Sequence, residues 1–525
     1  MRSLLLAAAG LVAGLPALAQ TTTPERTRAA ETSSLAQVVS FFDSLAARTP
    51  LLRLGTFGRT AGGLTLPYVI AAAPMVTDPA DAQRSGKPVV YLQGNIHGGE
   101  VEGKEAVQLL LRDLTTGSLR PLLDSVVLII VPVYNGDGND AFGPGDQNRR
   151  GQNGPAVVGR RPNAQGLDLN RDLVKQEAPE TRALLALANA WDPDLYVDLH
   201  TTNGSYHGYV LTYSPGLNVN SSPSNDFVRD VLLPEVRNRM RSRHRQEVFW
   251  YGNFRNQDPD SLGQGWETFE PYQRYASNWY GMRNRMSILS EAYSNADFQT
   301  RIDASYNFVL EILRYVAANR VRIRELNAAS ARTRPDSVTI RSALAPPTMQ
   351  DVIAELTERA AEGAGPFARR RRTGQFRTVR MPVFDRFAAT LKEPIRAGYL
   401  LPPQHTHLVE LLRRQGIVVA QLERSWEGAA ETFRIDSVTA SPNPFEGHRL
   451  VRVAGRWSAA TVAAGAGWFV VPTDQRLGVM AAYLLEPAGE DGFVTWNLLD
   501  RDLRRGATYP IVRVAALPPY RRQIE

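Results

Sequence analysis

Val89-Val90-Tyr91-Leu92-Gln93-Gly94-Asn95-Ile96-His97-Gly98-Gly99-Glu100 runs from an apolar stretch, through a glycine-marked turn, to an imidazole and a carboxylate three residues apart. The apolar half has the length of a buried strand, and the glycines place a turn at its end. Such a turn lets His97 and Glu100 converge on one point, with Glu100 at the start of the next helical pattern. A second imidazole, His200, ends another apolar run, Asp194-Leu195-Tyr196-Val197-Asp198-Leu199. Two ring nitrogens and one carboxylate suit zinc and leave a fourth position for water. Taken singly, an H-x-x-E match is common by chance, and His200 has an equal reading as a satisfied core histidine.

Further apolar runs at Pro67–Ala73, Val126–Val133 and Met286–Ser290 also have strand length. Leu35, Val38, Phe41, Phe42 and Leu45 recur at helical spacing, as do Val107, Leu110, Leu111 and Leu114. Leu184–Trp191 and Tyr306–Ala317 read as helices as well. This alternation predicts an α/β domain, a mixed and mostly parallel sheet flanked by helices. Ligands gather at the carboxyl ends of strands in such sheets, which is where His97 and His200 fall. The stretch Gly136–Gln165, rich in Gly, Asn, Pro and Arg, is long and irregular enough to be expected to carry function.

At the amino terminus, Arg2, the apolar Leu4–Leu15 and Ala17-Leu18-Ala19 have the order of a cleavable export signal. That assigns residues 1–19 to a signal peptide and predicts a secreted or periplasmic protein. Residues 20–33 are polar and expected to be flexible. The α/β domain is assigned to 34–325 and a polar, arginine-rich linker to 326–336. A second, smaller, strand-rich C-terminal domain is assigned to 337–525. Its short runs Phe376–Val383, Leu450–Val453, Gly467–Val471 and Thr508–Val514 surround one clear helix at His407–Gln415. Trp468, Phe469 and Trp496 read as its turns and core.

The 525 residues are 43% hydrophobic and 22% charged, as in soluble globular proteins. The formal net charge of +7 is almost wholly arginine, since only four lysines occur. The run Arg369-Arg370-Arg371-Arg372 reads as a solvated turn or linker, and no basic stripe interleaved with aromatics points to nucleic acid. No later apolar run is long enough for a membrane span. The absence of cysteine excludes Cys-ligated zinc and a thiol nucleophile.

The segment Asp168-Leu169-Asn170-Arg171-Asp172 adds chemistry to the two histidines. Zinc-bound imidazoles donate their other ring N–H to a carboxylate, a role open to Asp168. Asn170 beside Arg171 suits a clamp for a carboxylate, which guanidinium binds through a bidentate fork. A loop aspartate paired with a loop arginine is the plainer reading. Asp198, two residues before His200 on the same strand face, could orient a neighbour or be a buried polar partner.

His97-Gly98-Gly99-Glu100, Asn135-Gly136-Asp137-Gly138, Asp168-Leu169-Asn170-Arg171, His200 and Glu291 follow an order and spacing that resembles the zinc carboxypeptidases of the carboxypeptidase A/B type. Gly58-Arg59-Thr60-Ala61-Gly62-Gly63 also looks like that family's early glycine–arginine turn. The similarity covers about Leu35 to Val321, through motifs that are specific together and weak singly. It implies a zinc metallocarboxypeptidase with one zinc per chain, held by His97, Glu100 and His200, with Asp168 orienting the first histidine. It implies that Asn170 and Arg171 bind the free C-terminal carboxylate of a peptide substrate, and that Glu291 is the general base and then acid. The family's carbonyl-polarising arginine is assigned to Arg149, with Arg150, Arg160 and Arg161 as alternatives. Its substrate-covering tyrosine is assigned to Tyr275, over Tyr272 and Tyr280. No acid stands in Tyr275-Ala276-Ser277-Asn278, where the side-chain preference is set in the family.

Other matches point elsewhere. Counting from Asp137, the twelfth position is Asn148, which excludes an EF-hand. His405 and His407 read as a surface pair, and His207 as a rim or structural residue. Two other functions fit the same residues: an amide hydrolase acting on cell-wall stem peptides, and a non-catalytic extracellular binding protein whose metal site has decayed. The complete set of ligands, base and clamp argues against a decayed site, and Asn170–Arg171 favours a free carboxylate, which a cell-wall peptide also carries.

Overall fold

A computed structural model describes residues 20–221, 223–359 and 370–521. The export signal assigned to 1–19 lies outside the described residues, as does Arg369.

Eight strands form the central sheet: Leu52–Arg59 (β1), Thr65–Ala71 (β2), Val89–Gly94 (β3), Val127–Val131 (β4), Leu195–Thr201 (β5), Leu211–Pro215 (β6), Val248–Trp250 (β7) and Met286–Ala292 (β8). Their order is β1-β2-β4-β3-β5-β8-β6-β7. Four of the seven pairings are parallel, including the central β4–β3, β3–β5 and β5–β8. Every residue of β3, β4, β5 and β8 is buried, as expected for strands covered on both faces.

Helices Leu35–Ala46 (α1), Glu102–Thr115 (α2), Pro179–Trp191 (α3), Ala276–Gly281 (α4), Phe298–Ala318 (α5) and Arg320–Arg332 (α6) flank this sheet. Ser34 starts α1 with a capping box to Gln37, and the apolar positions expected at 35, 38, 41, 42 and 45 are all buried. Each such side chain contributes about 1.5–3 kcal/mol on leaving water. In α2 the helix also buries Lys104, Glu105 and Gln108, so their polar groups must find partners.

That requirement overturns the expectation of a loose segment at 20–33. The hydroxyls of Thr32 and Ser33 and the Ser33 N–H all donate to the buried Glu105 carboxylate at 2.7–2.8 Å. Thr22 caps a short helix, Thr23–Thr27, and Arg112 donates to Glu25 Oε2 at 2.8 Å and to the Gln20 carbonyl at 2.9 Å. The expected linker at 326–336 is also largely structured. Residues through Arg332 belong to α6, where Asn327 is buried and donates to the Asp194 carbonyl at 2.9 Å.

The strand-rich C-terminal region is present, but it is not separate from the first. Thr348–Arg359 and Arg370–Phe384 form an antiparallel hairpin. The second of these strands pairs in parallel with Trp266–Glu267, which pairs with Asn253–Phe254. Two strands from each side of the expected boundary therefore make one four-stranded sheet. Its core joins Tyr209, Phe249 and Trp266 to Val352, Met381 and Val383. Arg370, Arg371 and Arg372 lie in this strand rather than in a turn or linker, because acids on facing segments match them. Arg370 pairs with Asp258 at 3.0 Å, Arg371 with Glu358, and Arg372 with Glu355 at 2.8 Å.

From Gly398 onward, seven strands form a second sheet, with helices Thr406–Arg414 (α7) and Gly478–Leu485 (α8) against it. One continuous cluster runs from Tyr91, Tyr196 and Trp279 beneath the central sheet to Leu408, Leu412, Tyr483 and Trp496. Phe469 and Trp496 are buried core, as expected. Among the described residues, no helix is long and apolar enough to cross a membrane.

Candidate metal and peptide-binding site

Three adjacent parallel strands deliver the site. The turn after β3 carries His97 and Glu100, β5 ends in His200-Thr201, and β8 carries Glu291 directly opposite His200 in register. Asn95 shapes the first turn: it takes φ +61°, and its side-chain amide donates to the carbonyls of His97, Gly98 and Glu100 at 2.9–3.2 Å. Gly98 is required by contact, since a Cβ there would fall 2.2 Å from the carbonyl carbon of Gly138. Asn135 ties the neighbouring loops together, donating to the carbonyls of Ile96 at 3.2 Å and Arg161 at 3.0 Å. Asp137 accepts from Thr60 and from the Gly62 N–H, which anchors the early glycine–arginine turn.

The two imidazoles share one orientation. His97 Nδ1 lies 2.9 Å from Glu100 Oε1, and His200 Nδ1 lies 2.9 Å from Glu100 Oε2. On the far sides, His97 Nε2 is 3.1 Å from Asp168 Oδ1 and His200 Nε2 is 3.0 Å from Asp198 Oδ2. With Nε2–H facing each aspartate, each Nδ1 must either carry a second proton, as an imidazolium donating to Glu100, or offer its lone pair to a cation shared with that carboxylate. A divalent cation between them satisfies the second arrangement, and the donor set is one that zinc takes. The donor atoms of His97, Glu100 and His200 all lie within 4.8 Å of one another, the one such group among the described residues. Nearby positive charge, with hydrogen bonds from both imidazoles, holds the Glu100 carboxyl well below its usual range against the opposing effect of burial. Burial opposes the charged form of His200, but Asp198 and Glu100 push its pKa well up. Asp168 is held low against burial by His97, Arg161 and Arg171.

A cavity of about 200 Å³ opens beside these ligands, lined by Glu291, Arg161, Asn170 and Arg171 on its polar side. Tyr251, Phe269, Tyr275 and Leu289 form its apolar wall. Burial pushes the Glu291 carboxyl up to about 8, partly offset by His200. Asn170 accepts from the Ala276 N–H through Oδ1 at 2.8 Å, which leaves its amide nitrogen available. The Arg171 guanidinium stands 4.3 Å over the Tyr275 ring, and Tyr275 donates its hydroxyl to Glu270 at 2.8 Å. The other two tyrosines lie elsewhere: Tyr280 is in the core, bonded to the Pro193 carbonyl, and Tyr272 faces the C-terminal region.

The four arginines separate clearly. Arg149 does not line the cavity; its Nη2 donates to the carbonyls of Thr201 at 2.5 Å and Thr202 at 3.1 Å and pairs with Glu100 Oε1 at 3.1 Å. Arg150 and Arg160 are exposed. Arg161 lines the cavity, with Nη1 3.3 Å from His97 Nδ1 and Nε and Nη2 on Asp168 Oδ2 at 2.9 and 2.8 Å. Of the four, Arg161 is the arginine that lines the cavity together with His97, Glu100, His200 and Glu291. Nothing in spacing alone separated Arg161 from Arg149, because both lie within the same irregular stretch.

Sequence reasoning passed over Tyr251, Phe269 and Glu270, which come from loops without a pattern of their own. His405 is buried and His407 exposed, with 5.9 Å between ring centres, so they are not a surface pair. His207 is buried against Tyr209, Trp266 and Tyr293, a structural position.

Residues 38–311, more than half of the chain, match the Peptidase_M14 family model, described as zinc carboxypeptidase. Carboxypeptidase 2 of Trichophyton rubrum is 24% identical over 478 residues, spanning 85% of this chain and 79% of that protein. Carboxypeptidase D of Rattus norvegicus is 33% identical over 177 residues, which is 31% of this chain and 12% of the relative. Among solved structures, carboxypeptidase A from Helicoverpa armigera aligns over 57% of this chain and 75% of its own, at 18% identity and a TM-score of 0.40.

Proposed function

The chain belongs to the zinc carboxypeptidase family and is a zinc metallocarboxypeptidase; from that premise we propose that it removes residues one at a time from free peptide C-termini. The observation that carries this reading is the joint lining of one cavity by His97, Glu100, His200, Glu291 and the Asn170–Arg171 pair. His97, Glu100 and His200 would hold the metal, one per chain. When bound, zinc supplies a Lewis acid that polarises a carbonyl and acidifies water.

The protein's own groups account for the remaining chemistry. Arg171 forks onto the substrate carboxylate, helped by the Asn170 amide, and so fixes the scissile bond relative to Glu291. Glu291 takes a proton from the attacking water and delivers it to the leaving amine nitrogen. Its buried environment favours holding that proton between the two steps. Arg161 offers N–H donors to the carbonyl oxygen as negative charge develops there. Tyr275 lies under Arg171, and its hydroxyl bond to Glu270 keeps the ring in place. The proposal includes export from the cytoplasm, on the strength of the amino-terminal sequence alone.

The test pairs metal analysis with product analysis. Purified protein is assayed for zinc and for amino acids released from a mixed peptide panel with free or amidated C-termini. About one zinc per chain and release from free termini alone are expected. Zinc binding without release from any free terminus would rule the function out, and equal release from amidated peptides would rule out the clamp.

A further inference from the structure

Arg274 immediately precedes Tyr275, yet its side chain turns away from the cavity and into the C-terminal region. Asp491 receives it completely: the Arg274 N–H donates to Oδ2 at 2.8 Å, and Nε and Nη2 reach Oδ1 at 2.8 and 2.7 Å. Trp496 Nε1 donates to the same Oδ1 at 3.0 Å. The rings of Tyr272, Trp496 and Phe445 lie 4.6, 4.7 and 5.4 Å from the guanidinium carbon. Both charged side chains are almost dry, at 5% and 0% exposure.

A buried ion pair of this kind is a poor source of net stability compared with apolar packing, so the useful question is what geometry it specifies. The next two residues answer it. Tyr275 supports the Arg171 guanidinium, and the Ala276 N–H donates to Asn170 Oδ1. Gln415, also from the C-terminal region, braces the other side: it accepts from Trp279 Nε1 at 2.7 Å and donates to the Leu173 carbonyl at 2.6 Å.

We propose that Asp491 is a positioning residue for substrate recognition: by holding Arg274 it sets Tyr275 and Ala276, and through them aims Arg171 and Asn170 at the C-terminal carboxylate. The inference rests on the clamp role assigned to those two residues. It gives the C-terminal region a function in the peptidase site without contact with substrate.

The experiment compares wild type, Asp491→Asn and the double variant Arg274→Met/Asp491→Leu, each as the full chain. KM and kcat are measured on N-blocked dipeptides, together with zinc content and melting temperature. The double variant leaves no lone buried charge, although the Arg274 N–H and Trp496 Nε1 lose their acceptor, and it decides the matter if the single variant fails to fold. Misaiming the clamp is expected to raise KM about tenfold in either folded variant, with kcat and zinc content close to wild type. A wild-type KM in a folded variant overturns the inference, as does a joint fall of kcat, zinc content and melting temperature without a change in KM. If wild type releases no C-terminal residue from any peptide, the function itself fails, and this inference with it.

Discussion

Arg161 Nη2 lies 2.8 Å from Asp168 Oδ2, on the carboxylate whose other oxygen is 3.1 Å from His97 Nε2. One aspartate thus holds both the His97 imidazole and the arginine beside it, which couples their positions. Arg161→Ala is expected to lower kcat by about 10²–10³-fold, the range for losing a donor to a developing oxyanion. Arg149→Ala should instead lower the melting temperature, because the buried carbonyls of Thr201 and Thr202 lose their donor. Steady-state kinetics and calorimetry on both variants would show whether these roles are reversed.

Glu291→Gln keeps the shape of the side chain and removes the base. A fall in kcat of roughly 10²–10⁴-fold is expected, with KM and zinc content unchanged. Activity equal to wild type would exclude Glu291 from proton transfer.

Arg171→Ala should act on binding. Losing a charge-assisted pair to the carboxylate predicts a rise in KM of roughly 10–100-fold, with kcat little affected. A variant that loses kcat at unchanged KM would place Arg171 in the chemical step instead.

The aspartates behind the two imidazoles predict metal affinity. Asp168→Asn and Asp198→Asn remove the negative charge that faces Nε2 in each case. Zinc affinity, titrated against a chelator, should weaken about 10–100-fold in each. An unchanged affinity for Asp198→Asn would mean that its 3.0 Å approach to His200 is packing only.

Stability should depend on pH through His448 and Glu177, 2.9 Å apart across the two regions. Hydrogen bonding to His448 holds Glu177 down to about 2, and Glu177 pushes His448 up from 6.5. The glutamate's contribution is complete above its ordinary pKa and is lost as pH falls toward about 2. The histidine's is complete below 6.5 and is lost as pH rises through its raised value. The melting-temperature difference between wild type and His448→Gln should therefore be largest near pH 5–6 and vanish in alkaline buffer. A difference independent of pH would show that the ring packs there without its charge. Glu177 is partly exposed, so the effect should be small.

The central sheet and the His97–Glu100–His200 cluster were legible because they obey short rules. Apolar runs of strand length mark β3, β4, β5 and β8, and His97, Glu100 and His200 sit at the strand ends where such folds bind ligands. Asn170, Arg171 and Glu291 became visible only jointly with these, through order along the chain. Arg161 and Arg149 were confused because an irregular loop has no period from which facing can be read. The short strand Trp266–Glu267 was invisible for a related reason: one of its partners is itself only two residues long and the other is more than a hundred residues away. The docking of residues 20–33 depends on the buried Glu105, which a helical pattern would place as readily on a solvated face.

The four-stranded sheet shared by both halves bears on how such a protein can change over generations. Trp266–Glu267 is two residues long and takes its inner partner from Arg370–Phe384. A recombination event between the two regions would strand it with only Asn253–Phe254 beside it, and would open the core around Tyr209, Phe249 and Trp266 to solvent. The C-terminal half is therefore not a cassette to be traded among enzymes. A substitution at Val352, Met381 or Val383 reaches Tyr209, Phe249 and Trp266 across the expected boundary.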